Sequence, residues 1–386
     1  MLNETDSYYI INMLGEICFM STYHKKVCHL SSVHSVTDTR IFYKECKTLV
    51  NAGYNVAFVV QNDKDEVIDG VKIISINKPK NRKERMIRTT RQVYHRALEF
   101  DADIYHFHDP ELIPIGLLLK HKGKKVIYDI HEDVPRQNLT KEWIPTRLRS
   151  PLSWIVEGLE NYAAKRFDYI VTATDYIANR FSPLNKCVIA VKNYPVIIEG
   201  ISANMFSNRN RQICYISSHL SLGRAIVPII ESMKYIDAEL IIAGKMDDSI
   251  LDILQKFEGW KKTRYIGFGD KKKVHSIMNC SRVGLALFSL EPNYVNALPT
   301  KMFEYMMEGL PVVVTDIPIL RKIIDKYNFG FYINSLKPED IADRVNWLLN
   351  NPEVANEMGL RGQKAVKCEY NWSIEAEKLI DVYKQI

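Results

Sequence analysis

Apolar and polar positions alternate in blocks along the chain. Residues 26–31 (KVCHLS) and 55–60 (NVAFVV) are short, nearly continuous apolar runs, the pattern of strands buried on both faces. Between them, 38–53 has a helical pattern and ends at Gly53, the residue type that favours a helix C-cap. This is a β-α-β unit, and it recurs. Strands are expected at 71–76, 103–107, 125–129 and 169–172, with helices over the basic stretch after 76 and at 111–120 and 154–166. After a polar break at 191–211 the alternation restarts. Strands are expected at 212–216, 239–243, 263–267, 283–288, 311–315 and 331–333. Helices fall between them at 225–233, 247–257, 271–279, 300–308 and 317–327, followed by 338–350 and, after a bend at 370–372, by 373–383.

Strands alternating with helices predict an α/β chain. A length of 386 residues suits two domains. The expected architecture is two Rossmann-like, doubly wound parallel-sheet domains facing a cleft. An extension covers 1–25, the first domain 26–195 and the second 196–368. A terminal helix within 369–386 is expected to pack back on the first domain, and the hinge is placed near 194–200. Open α/β sheets bind ligands at the C-terminal ends of their strands, so the chemistry is sought in the loops that follow strands.

A content of 46% hydrophobic and 25% charged residues fits a soluble globular protein. No apolar run reaches the ~18 residues of a membrane-spanning helix. Residues 8–20 are fairly apolar, but Asn12 and Glu16 interrupt them and acidic Glu4 and Asp6 precede them, unlike a signal peptide; residues 1–24 read as an extension or as a start before Met20. The seven cysteines are odd in number, with no two at metal-ligand spacing. Buried free thiols in a reducing compartment, the cytoplasm, are the expectation. The net charge of +6 is concentrated. Residues 78–96 carry Lys78, Lys80, Arg82, Lys83, Arg85, Arg88, Arg91 and Arg96 against Glu84. Such a cluster fits either an anionic partner or a solvated helix face.

The most specific stretch is 291–318, EPNYVNALPTKMFEYMMEGLPVVVTDIP. A polar loop leads into a short helix with Lys301 and Glu304, a Gly309 stop and a buried strand. A helix N-terminus stabilises phosphate through its free N–H groups and dipole. Lys301 can add a point charge, and Glu304, one turn on, can accept from two ribose hydroxyls. By pattern alone the two residues fit equally an ordinary helix-surface pair.

This stretch resembles the donor-binding signature of family 4 glycosyltransferases, P-x-K-x-F-E-Y-M-x-x-G-x-P-V-V. The resemblance runs over most of 26–386 and implies a GT-B fold, transfer of a sugar from a nucleotide-diphospho-sugar with retention of configuration, and no metal or other cofactor. In that likeness Glu304 is the second glutamate of the E-x7-E motif and holds the ribose; the first falls on Asn296, a departure. Pro299 stands where the family uses a backbone N–H on the diphosphate, which moves that work to Leu298, Thr300 and Lys301. Residues 38–53, DTRIFYKECKTLVNAG, resemble the first helix of a bacterial subgroup that builds surface polysaccharides. The paired glycines many members carry after the first strand are replaced by SSVHSVT at 31–37, and Asp38 is a candidate N-cap.

In His106-Phe107-His108-Asp109-Pro110-Glu111, the resemblance makes His108 the residue that reaches the donor sugar. His106 is expected on the other face of the strand, as a structural residue. An isolated H-x-H could bind a metal, but no third ligand is evident nearby in sequence. Asp129-Ile130-His131-Glu132 resembles the D-x-H-E element on the acceptor side, with His131 and Glu132 as its functional residues and Asp133 as a cap. In the second domain Arg224 matches the family's basic residue on the donor phosphates, and Ser217 replaces its glycine. Lys245 is a candidate near base or ribose, and Gly267-Phe268 is expected to meet the nucleobase. The implied partners are a nucleotide-sugar, a lipid-linked glycan acceptor and the anionic inner face of the cell membrane, not nucleic acid. Two rivals stay open: a GT-B-like sugar-nucleotide epimerase, and a non-catalytic subunit that partners an active transferase.

Overall fold

The computed structural model describes residues 25–141, 143–197, 206–291, 294–296 and 298–386. The expected extension, apart from Lys25, and hinge positions 198–200 lie outside the described residues. The chain divides into two compact units, one ending at Tyr128 and the other running from Asp129.

The first sheet has the order β3-β4-β2-β1-β5-β6-β7-β8. Its strands are β1 (Lys26–Ser35), β2 (Asn55–Gln61), β3 (Glu66–Ile68), β4 (Val71–Ile76), β5 (Ile104–Phe107), β6 (Lys125–Ile130), β7 (Tyr169–Thr172) and β8 (Val188–Ala190). Within the first unit, Val27 of β1 pairs in parallel with Val56 of β2 and Ile104 of β5. The exception is β3, antiparallel to β4 and turned by Asp69 and Gly70 at φ 48° and 81°. Two positive φ values in a two-residue loop make the tight hairpin that Asp-Gly favours. Strand β1 runs past the expected 31 to Ser35.

The second sheet has the order β11-β10-β9-β12-β13-β14. Its strands are β9 (Gln212–Leu220), β10 (Glu239–Met246), β11 (Thr263–Tyr265), β12 (Val283–Ala286), β13 (Val312–Thr315) and β14 (Gly330–Ile333). Its pairings are parallel, and alternate residues of β9 serve opposite faces. Ile213 and Tyr215 join a core with Ile226, Ile230 and Val345. Cys214 and Ile216 join another with Met302, Phe303, Tyr305 and Leu320. Full burial of each large aliphatic or aromatic side chain is worth roughly 1.5–3 kcal/mol. A sheet clothed on both faces is the doubly wound arrangement expected.

Glycines allow close packing at two places behind these strands. Tyr305 lies flat on Gly284, where a Cβ would sit 2.6 Å from its ring carbons. Helix Pro352–Cys368, not anticipated from the sequence, presents Gly359 to Gly309, whose carbonyl oxygen would lie 2.0 Å from a Cβ. The last helix, Trp372–Gln385, is tied to the segment after β8 within the second unit: Trp372 N donates to Pro195 O at 2.8 Å, and Glu375 accepts from Lys192 N at 2.9 Å.

Candidate functional site

In the first unit, β1, β5 and the helical segment beginning at Ile41 converge on a buried polar cluster. His29 Nδ1 lies 2.9 Å from His108 Nε2, so one ring donates a hydrogen bond to the other. Glu45 Oε2 faces both, at 3.9 Å from His29 and 3.8 Å from His108, while Arg40 Nε holds Glu45 Oε1 at 3.0 Å. The side chains of His29, Glu45 and His108 are wholly buried. A carboxylate taken from water needs a paired cation, and Arg40 supplies it.

Two expectations change here. His106 does not turn to the opposite face: its ring stacks on His108 at 4.7 Å between centroids, because residues two apart on a strand share a face. Nor does the H-x-H stand alone. Ligand atoms of His29, Glu45, His106 and His108 all lie within 4.8 Å of one another, a set that could hold a metal ion. Neither His29 nor Glu45 is near the motif in sequence. Beside this cluster, Asp109 accepts from Ser31 Oγ at 2.8 Å and Ser32 N at 2.6 Å. Asp38 accepts from the N–H groups of Arg40 and Ile41, each at 2.8 Å, and so caps the helical segment. Of the basic residues at 78–96, Arg85 pairs with Glu111 at 2.8 Å, Arg88 with Glu84 at 3.4 Å, and Arg96 with Asp65 at 2.5 Å.

In the second unit, Asp129 and His131 are joined at 3.0 Å between Oδ2 and Nε2. Glu132 accepts from Gln137 Nε2. Asp133 stands at a helix start, but its carboxylate meets Arg180 at 3.2 Å rather than capping the turn.

The residues expected on the donor side lie at the ends of β9, β10 and β11 and at one helix start. After β9 a tight turn at Leu222–Arg224 puts Ala225 at φ 54°. That turn lets Arg224 Nη1 donate to Ser217 Oγ at 2.8 Å, with the guanidinium 5.8 Å from the Tyr294 ring. Helix Thr300–Met307 follows Pro299, and among the described residues no side chain caps its start; Met302 N donates to Pro299 O at 3.0 Å, which leaves the N–H groups of Thr300 and Lys301 to face an anion. Leu298, Thr300 and, in the turn before them, Asn296 are half-buried. Lys301 and Glu304 pair at 2.5 Å, each with 28% of its side chain exposed. Behind them the Tyr305 hydroxyl accepts from Ile216 N at 2.9 Å, and burial holds its phenol far above its usual range, hence neutral. Lys245 lies over the exposed Phe268 ring at 5.3 Å, and the Gly244–Gly267 hydrogen bond of 2.9 Å holds their two loops together.

The arrangement thus offers cations, an uncapped helix start, a carboxylate and an exposed ring. Two family descriptions match the chain: Glycosyltransferase Family 4 over residues 39–189 and Glycosyl transferases group 1 over 203–365. An uncharacterized glycosyltransferase of Methanocaldococcus jannaschii is 27% identical over 165 residues, 42% of this chain and 40% of the relative. Alpha-D-kanosaminyltransferase of Streptomyces kanamyceticus is 23% identical over 154 residues, 39% of this chain and 38% of that protein. These alignments cover about two-fifths of each curated relative. Among solved structures, sucrose-phosphate synthase from Thermosynechococcus elongatus superposes with a TM-score of 0.75 at 14% identity, covering 94% of this chain and 99% of that one. Anabaena HepE in complex with UDP-glucose gives 0.70 at 11%, over 94% and 100%. The chain therefore has the GT-B fold, and each half is similar to a glycosyltransferase family model.

Proposed function

We propose that this chain is a retaining glycosyltransferase that moves a hexosyl or related group from a nucleotide-diphospho-sugar to a lipid-linked glycan acceptor in surface-polysaccharide synthesis. The observation that carries the reading is the donor-side group: Arg224 with Ser217, the helix start at Thr300, Lys301 with Glu304, and Lys245 over Phe268. Each part of a nucleoside diphosphate has a partner there. The ring can stack on the base, Glu304 can accept from ribose hydroxyls, and the cations with the helix start can take the diphosphate. The Anabaena neighbour's complex with UDP-glucose supports a donor of this class.

In the proposed reaction the bond from the anomeric carbon to the diphosphate oxygen breaks and one to the acceptor oxygen forms on the same face. The acceptor's proton passes to the departing phosphate oxygen. Arg224 and Lys301 stabilise the charge that builds on the diphosphate. His131 and Glu132 hold the acceptor, with Asp129 fixing the His131 ring. His108 serves the sugar only if its enclosed side chain is uncovered. Among the described residues no helix is long and apolar enough to cross a membrane, so a lipid-linked acceptor would be met by surface contact at the inner membrane face.

The test is turnover and thermal shift against a panel of nucleotide-sugars, with and without lipid-linked acceptors. Release of one nucleoside diphosphate that quickens on adding acceptor supports transfer. Isomerisation of the sugar with no acceptor favours the epimerase, and binding without turnover favours the non-catalytic subunit.

A further inference from the structure

Helix Thr146–Ala164 is inside out in its charges. A helix on a water-facing surface turns acids and bases outward and apolar residues inward. Here both acids of the helix turn in. Glu160, wholly buried, pairs with Arg180 at 2.5 Å, and Glu157 pairs with Arg136 at 2.7 Å. Ser153, also buried, donates to Pro135 O at 2.8 Å. What faces out is apolar and aromatic: Trp154 is 74% exposed, Ile155 68% and Leu148 57%, with Leu159 and Tyr162 beside them. The exposed charges are Arg147 near the start and Lys165 and Arg166 just past the end. No exposed position from 146 to 166 is acidic.

We infer that this face is the surface by which the protein docks on an anionic lipid bilayer. The helix, about 28 Å long at ~1.5 Å per residue, would lie in the plane of the interface. A tryptophan and a tyrosine suit the headgroup level, branched aliphatics reach the acyl boundary, and cations at both ends meet anionic headgroups. Charge argues against a second copy of the chain as occupant. Paired antiparallel about a two-fold axis, Arg147 would meet Lys165 and Arg166 of the partner helix, and paired in parallel each cation would meet its own equivalent. The face belongs to a different segment from the basic stretch at 78–96, three of whose cations are already in ion pairs. The inference rests on the proposed lipid-linked acceptor for its biological sense, not for its physics.

The experiment is co-sedimentation of the full chain with vesicles of phosphatidylcholine alone or with phosphatidylglycerol, at low and high salt. The unaltered chain is expected to bind the phosphatidylglycerol vesicles and to be released by salt. The double variant Trp154→Glu/Ile155→Glu is expected to bind them at least ~10-fold more weakly at an unchanged melting temperature and unchanged thermal shift with UDP. Vesicles with brominated acyl chains should quench Trp154 fluorescence; Trp154→Phe should remove that quenching while keeping binding. Equal binding by the double variant overturns the inference, as does failure of the unaltered chain to bind. So does a dimer in solution that the double variant dissociates without change in vesicle binding. Turnover on a soluble acceptor analogue reads the transferase proposal separately, so either can fail alone.

Discussion

Lys301 Nζ lies 2.5 Å from Glu304 Oε2, one helical turn away. Without a nucleotide the two groups proposed to grip it neutralise each other. Binding must exchange that pair for a diphosphate on one side and ribose hydroxyls on the other. Glu304→Ala should weaken UDP binding by about 10–100-fold, the loss of charge-assisted hydrogen bonds. Lys301→Ala should cost a similar factor, with little change in melting temperature because a half-exposed pair contributes little. Calorimetric titration reads both; unchanged affinity in Glu304→Ala would remove that residue from the site.

Arg224 is set by a tight turn and by Ser217, with no acid in an ion pair to it among the described residues. Its charge is therefore left to act on a ligand. Arg224→Ala should lower kcat by about 100-fold or more, as when a preorganised charge stabiliser is removed. Arg224→Lys should recover little of it, since a single ammonium does not reproduce the fork. The pair of rates with one donor decides the point.

Tyr305 and Gly284 form one packed unit, with the Tyr305 hydroxyl reaching Ile216 of β9. Tyr305→Phe leaves the buried Ile216 N–H without its acceptor, an expected cost of about 1–3 kcal/mol. Gly284→Ala drives a methyl into the ring and should destabilise by about as much or more. Chemical denaturation at fixed pH measures both, and a neutral Gly284→Ala would show that the ring can move aside.

The Asp65 carboxyl is pulled down to about 2, first by its hydrogen bond from Arg96 and then by Ser75. The folded state thus holds that proton less tightly than the unfolded chain. The resulting stabilisation is fully present above about pH 4 and is lost as pH falls through about 2. Half-exposed and screened by solvent, it is worth under about 1 kcal/mol. Stability curves of the parent and Arg96→Ala should differ by that much at neutral pH and converge in strong acid.

Much of the frame was legible because buried parallel strands write themselves as apolar runs, and all six strands expected after the break are present. The Asp-Gly hairpin was equally legible and was passed over, since its first strand is only three residues long. Helix Pro352–Cys368 was missed because Gly359 and Gly362 look like breakers; in the fold they are points of close approach. Of the residues expected on the donor side, Asn296, Leu298, Thr300, Lys301 and Glu304 stand in one contiguous motif. The His29–Glu45–His106–His108 cluster does not, for its members arrive on separate elements. Glu45 carried a signal nonetheless, one turn from Ile41 and one from Leu49 on the apolar side of its helix, where a charge must have a partner.

Gly359 has a mechanical meaning for the helix that carries Lys301 and Glu304. That helix ends just before Gly309, and Gly309 is seated directly against the backbone of the Pro352–Cys368 helix. The helix is thus anchored at the end away from Thr300. On the proposed donor reading, a nucleotide arriving there would meet a part already held in place and would spend less of its binding energy on ordering it.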